Sequence, residues 1–210
     1  MKIIIDFDDV LFNTAEFKKE LVRVFVKNNV SGEEFNDSYN ACAKSIGRGL
    51  VRRDVYAQIV FLEEKLGIDG KKLKKDLDAF LSDTSNFVFS DAEEFFHWFK
   101  REDLILFSFG GSEFEKKKIM NSGLVSFFGR IILTGETKSV REIGLVKGEK
   151  FIFIDDRTEH IENIKNEMPA CATILLKRKE GRYDSPKTKY VDFEAENLTE
   201  ADGVIKKIKD

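Results

Sequence analysis

Lys2-Ile3-Ile4-Ile5-Asp6-Phe7-Asp8-Asp9-Val10-Leu11 joins a short apolar run to a cluster of carboxylates. Three consecutive isoleucines are the pattern of a strand buried on both faces of a parallel sheet. In extended chain Asp6 and Asp8 lie two residues apart and share one face, with Phe7 turned the other way. Their position at a strand's carboxyl end matters, because open parallel sheets bind ligands beyond those ends.

Working outward, similar apolar runs rich in Ile, Leu and Phe recur at 104–109, 130–134, 151–155 and 172–177. Helical patterns separate most of them. Ala92, Phe95, Phe96 and Phe99 recur at helical spacing behind a Ser90/Glu93 capping box, and a Ser112/Glu115 box opens another helix after Gly110 and Gly111. Short turns and this alternation predict an α/β fold: a Rossmann-like parallel sheet flanked by helices.

The interval 14–89 breaks the rhythm and reads as helical throughout. Phe17, Leu21, Val24 and Phe25 mark one helix; Val51, Val55, Ile59, Leu62 and Leu66 a second; Leu73, Leu77, Phe80 and Leu81 a third. The expected organisation is therefore a core domain of 1–13 and 90–210 with a helical cap, 14–89, inserted after the first strand. Polar residues and Pro186 interrupt the pattern over 183–198, and 199–209 closes as a helix.

With 210 residues, 42% of them apolar and 35% charged, the chain can bury one α/β core and a smaller lobe. A net charge of −3 and a pI near 5.7 offer no global attraction to nucleic acid or anionic lipid. No segment has the ~20 apolar residues of a membrane helix, and the start lacks a signal-peptide pattern. Cys42 and Cys171 are far apart and without metal-ligand spacing, so reduced thiols and a cytoplasmic location are expected.

The unusual polar residues fall at the ends of the strands: Asp6, Asp8 and Asp9 at the first, Ser108, Phe109, Gly110 and Gly111 at the second, Asp155 and Asp156 at the fourth. Lys138 follows the third. Carboxylates converging on a phosphate dianion repel by ~4 kcal/mol per pair near 4 Å at an effective dielectric near 20. A divalent cation is implied, and oxygen-only ligands favour Mg²⁺.

Asp6-Phe7-Asp8-Asp9-Val10-Leu11, Ser108, Lys138 and Asp155-Asp156, in that order at successive strand ends, resemble the four motifs of haloacid dehalogenase-like phosphatases. The resemblance covers 1–13 and about 90–178, and the helical lobe matches in position the family's first (C1) type of cap. It implies a phosphatase that hydrolyses small phosphorylated metabolites. Asp6 would attack phosphorus and form an aspartyl-phosphate. Asp8 would protonate the leaving group and then activate water. Ser108, the backbone of Phe109 and Gly110, and Lys138 would hold phosphoryl oxygens. Asp6, the Asp8 carbonyl and Asp156 would bind Mg²⁺, with Asp155 acting through water.

Two departures stand out. Phe109 occupies the place where many relatives carry Asn, and the third motif lacks the common Lys-Pro pair, so Lys138 is chosen by position, with Lys147 as its substitute. Dehalogenases of the family lack the second Asp, so Asp8 weighs against that chemistry; a phosphomutase, or a catalytically silent binding protein on the same fold, are the alternatives. In the lobe, Arg48, Arg52 and Arg53 would suit a carboxylate or second phosphate, or else form a solvated helix end. His97 and His160 read as structural.

Overall fold

Ile3, Ile4 and Ile5 have no exposed surface, because β1 (Lys2–Ile5) runs between two parallel neighbours. The computed structural model describes residues 1–47, 50–135, 138–145 and 149–209, with side chains at 46–52 and 209 outside that description. After β1 come α1 (Thr14–Val26), α2 (Gly32–Ala41), β2 (Lys44–Gly47), β3 (Leu50–Arg52), α3 (Val55–Leu66) and α4 (Gly70–Phe80). The alternation resumes with α5 (Asp91–His97), β4 (Leu104–Phe109), α6 (Glu113–Met120), β5 (Arg130–Thr134), α7 (Val140–Ile143), β6 (Phe151–Asp155), α8 (Thr158–Glu167), β7 (Ala172–Leu176), β8 (Phe193–Ala195) and α9 (Leu198–Lys209).

Among the described residues β1 and β4 to β8 form one parallel sheet in the order β5-β4-β1-β6-β7-β8. Counted within the sheet this is 3-2-1-4-5-6, the doubly wound order, and its direction reverses between β1 and β6. Ligands of such sheets bind at that reversal, which is where Asp6 and the Asp155-Asp156 pair end their strands. The period of two in a strand divides the core between the faces. Ile3, Ile5, Leu104, Leu106, Ile152 and Ile154 pack on the side of α5 and α9; Ile4, Ile105, Phe107, Phe151 and Phe153 pack on the side of α7 and α8.

The inserted segment shares the first of these cores. Phe12 stacks on Phe7 at 4.8 Å between ring centroids and meets Phe17 of α1 edge-on at 5.2 Å; Phe17 in turn contacts Phe80 of α4 at 5.1 Å. Aromatic pairs of this kind each add about 0.5–1.5 kcal/mol beyond area burial. They tie the insert directly to the turn that carries the carboxylates.

The insert is not purely helical. β2 and β3 form an antiparallel hairpin, so Val51 belongs to a strand and α3 starts only at Val55. Asp54 sets that start, its carboxylate accepting the Tyr56 and Ala57 amides at 3.0 and 3.3 Å. The helical spacing of Val51 and Val55 held no trace of this cap. α2, with a complete Ser31/Glu34 capping box, and the edge strand β8 were also not anticipated. At α5, Ser90 makes no side-chain cap: its φ of −63° and ψ of −22° are already helical, unlike the extended backbone a capping residue adopts. No described helix is long and apolar enough to cross a membrane.

Candidate active site

Parallel pairing continues one residue past β1, with the Asp6 amide donating to the Ile154 carbonyl at 3.0 Å. The chain then turns back sharply as the Leu11 and Phe12 amides both reach the Phe7 carbonyl. Asp9 takes the left-handed conformation this requires, φ 56°, which Asp tolerates better than most residues. Its Oδ2 accepts from Arg182 Nε at 2.6 Å. The turn leaves Asp6 and Asp8 as neighbours on one side, and the Thr14 hydroxyl at the start of α1 donates to Asp8 at 2.8 Å.

Lys138, wholly buried, donates to Asp6 Oδ1 at 2.6 Å and to Asp155 Oδ2 at 2.7 Å, so it stitches the end of β1 to the end of β6. Asp155 is saturated further: its Oδ1 accepts the Arg157 amide at 2.9 Å and lies 3.1 Å from His160 Nδ1. Burial raises the Asp155 pKa, but Lys138 and His160 outweigh it and hold the carboxyl far below its ordinary range. For Asp6, burial wins over Lys138, and the carboxyl is pushed up to about 6. Asp156 is driven well above its ordinary value by burial and by the charges of Asp155, Asp6 and Asp9.

Ligand oxygens of Asp6, Asp155 and Asp156 all lie within 4.8 Å of one another. Asp156 Oδ2 is buried and accepts no hydrogen bond. An unpartnered carboxylate oxygen beside two other carboxylates is a costly arrangement that a hard divalent cation relieves. The residues therefore fit a cation. Asp156 does not cap α8, because Arg157 takes the N-cap position without a side-chain bond.

No known protein-family profile and no curated protein sequence matches this chain. Solved structures do match. A haloacid dehalogenase-like hydrolase assigned in Burkholderia xenovorans superposes with a TM-score of 0.74 at 16% identity, covering 94% of this chain and 95% of that one. The HAD-hydrolase YfnB of Bacillus subtilis, in a form bound to magnesium, covers 97% of both chains with a TM-score of 0.62 and 16% identity. L-2-haloacid dehalogenase from Xanthobacter autotrophicus, with chloropropionic acid covalently bound, covers 98% of both with a TM-score of 0.58 and 14% identity. The chain has the haloacid dehalogenase-like fold.

On this haloacid dehalogenase-like frame Asp8 has a partner that the sequence did not reveal. Lys118, on α6 and 2% exposed, donates to both Asp8 oxygens at 2.7 and 2.9 Å and pairs with Glu115 at 2.5 Å. Burial raises the Asp8 pKa, but Lys118 and Arg182 pull harder, and Asp8 titrates below its ordinary value. The preceding Lys117 reaches the insert, donating to Tyr56 of α3 at 2.9 Å and Asp78 of α4 at 2.8 Å. Adjacent lysines of one helix thus hold the insert and Asp8 together. Lys118→Met strips the cation from two part-buried carboxylates, and about 3–5 kcal/mol of stability should be lost. A urea midpoint unchanged from wild type would refute this.

Ser108 is buried at the end of β4. The Gly110 amide, expected to face phosphate, instead donates to the Thr134 carbonyl at 2.7 Å and is committed to the sheet. Glycine is needed there for another reason: at φ +135° a Cβ would stand 2.7 Å from Glu115 Cγ. Phe109 lines an inner hollow with Asp6, Asp8, Asp156, His160 and Arg157, and its ring lies 6.2 Å from that of His160. Of the insert's arginines, Arg48 and the Arg52 side chain lie outside the described residues, as does Lys147; Arg53 lines an outer hollow with Asp8. His160 braces Asp155, whereas exposed His97 sits against the Glu93 carbonyl of its own helix.

Proposed function

We propose that the protein is a Mg²⁺-dependent phosphatase that hydrolyses small phosphate monoesters through an aspartyl-phosphate on Asp6, with residues 14–89 acting as its cap. The observation that carries this reading is the union of Asp6, Lys138, Asp155 and the unpartnered Asp156 oxygen at the strand-order reversal, with Asp8 beside them.

Asp6 supplies the oxygen that bonds to phosphorus while the ester's C–O oxygen leaves, taking a proton from Asp8. In the second half Asp8 accepts a proton from water, the water oxygen bonds to phosphorus, and the Asp6–phosphoryl bond breaks to return the carboxylate and release phosphate. Ionised Asp8 accepts from Lys118 and Thr14; to enter the cycle it takes a proton from solvent, giving up part of that pairing to donate to the substrate's oxygen, and the proton taken from water in the second half restores the protonated state. Lys138 offsets negative charge on Asp6 and on the phosphoryl group, and Ser108 with the Phe109 backbone supplies the remaining phosphate contacts.

Asp6, the Asp8 carbonyl and Asp156 would hold the metal; Asp155, its oxygens taken by Lys138, His160 and the Arg157 amide, would support them. Bound Mg²⁺ would supply positive charge that lets phosphate approach these carboxylates. Hydrolysis of p-nitrophenyl phosphate should disappear with EDTA and return with added Mg²⁺. Full turnover in chelator would contradict the metal assignment. A dehalogenase on the same fold is disfavoured by Asp8, which has no task in displacing halide.

A further inference from the structure

Beyond Asp8 the cleft opens into an outer hollow walled by Tyr39, Arg53, Glu115, Arg157, Arg182 and Tyr183. It shares Asp8, Phe109, Arg157, Arg182 and Tyr183 with the inner hollow that holds Asp6 and Asp156. A substrate with its phosphoryl group at Asp6 extends its leaving group past Asp8 into this space.

The outer wall carries more positive charge than its carboxylates offset. Asp8 and Glu115 are both engaged by Lys118, and Arg182 Nε by Asp9. Among the described carboxylates, Arg157 pairs only with the exposed Glu159, at 3.4 Å. Lys18 and Arg53 have no carboxylate partner among the described residues. Both sit over the ring of Tyr39 instead, 4.8 and 4.7 Å from its centroid. Arg53 Nε is shut off from solvent and has no hydrogen-bond acceptor. Arg157 and Arg182 crowd onto Tyr183 in the same way, at 4.6 and 5.2 Å. Partial burial, then Arg53 and Arg182, hold the Lys18 pKa below its usual value. Like cations gathered on aromatic faces repel one another, and an anion placed between them removes that cost. Guanidinium forks fixed by stacking are also suited to bidentate contact with carboxylate or phosphate.

We propose that this outer hollow is a second anion site: the substrate is a phosphate monoester whose alcohol carries a carboxylate or a second phosphate, held by Lys18 and Arg53 of the insert and by Arg157 and Arg182 of the sheet domain. The location of the reacting phosphoryl group rests on the phosphatase reading, whereas the excess charge stands by itself.

Non-hydrolysable phosphonates separate the two. By isothermal titration with Mg²⁺ present, 3-phosphonopropionate or propane-1,3-bisphosphonate should bind the wild-type protein at least ~10-fold more tightly than propylphosphonate. Whichever anionic ligand binds better identifies carboxylate or phosphate as the group recognised. Lys18→Gln with Arg53→Gln should reduce the preference to about twofold or less, and Arg53→Lys, which keeps the charge, should retain part of it. Equal binding of propylphosphonate, no binding of either anionic ligand, or a preference that survives loss of both cations would overturn the proposal. A preference in a protein that hydrolyses no phosphate ester would uphold the anion site and defeat the phosphatase reading. Hydrolysis of phosphate esters without any preference would do the reverse.

Discussion

Asp6→Asn should turn over p-nitrophenyl phosphate at least ~10³-fold more slowly than wild type, a loss of about 4 kcal/mol of transition-state stabilisation. The amide is nearly isosteric with the carboxylate, so the buried end of β1 keeps its shape. Lys138 keeps its 2.7 Å pairing with Asp155 and is not left as an isolated buried charge. What disappears is the oxygen proposed as the nucleophile and one of the carboxylates gathered within 4.8 Å. The loss should therefore appear in kcat with little change in the thermal midpoint. Activity within tenfold of wild type would mean that phosphorus is attacked by another group.

Asp8→Asn should separate the two half-reactions. The turn at Asp8 is made by backbone hydrogen bonds to Phe7, and Lys118 retains Glu115 at 2.5 Å, so the fold should persist. Asn can neither protonate a leaving alkoxide nor take a proton from water. p-Nitrophenolate needs little protonation, so transfer to Asp6 should still proceed, followed by a stall. Stopped-flow absorbance should show a burst close to one p-nitrophenolate per enzyme, followed by a steady rate ~10²-fold or more below wild type. Linear release without a burst, at the wild-type rate, would remove Asp8 from the chemistry.

Five of the six sheet strands were legible because they appear as unbroken apolar runs, fully buried in β6 and nearly so in β1 and β4, partly buried at the edge strand β5; β4, β5 and β6 begin and end where those runs do. Asp6 and Asp155 were legible as polar residues at strand ends, whereas Lys138, four residues beyond β5, looks by itself like a solvated charge and was picked out only by its place in the order of the four motifs. The hairpin was hidden because valines spaced by four fit a helix as well as a strand edge. Lys118 was hidden differently. It lies in the run Lys116-Lys117-Lys118, which resembles a solvated face, yet it stands four residues after Phe114, on the helix side that is buried. That phase was the available signal. Arg182 gave none: it sits in a polar connection, and only the folded chain brings it to Asp9, 173 positions away in sequence.

The most direct test is peptide mass mapping of Asp8→Asn, quenched in acid after brief exposure to p-nitrophenyl phosphate and Mg²⁺. One added phosphoryl group on Asp6, absent when Mg²⁺ is replaced by EDTA, is the predicted result. No phosphorylated species in a protein that still releases p-nitrophenolate, or a phosphoryl group on another residue such as His160, would contradict it.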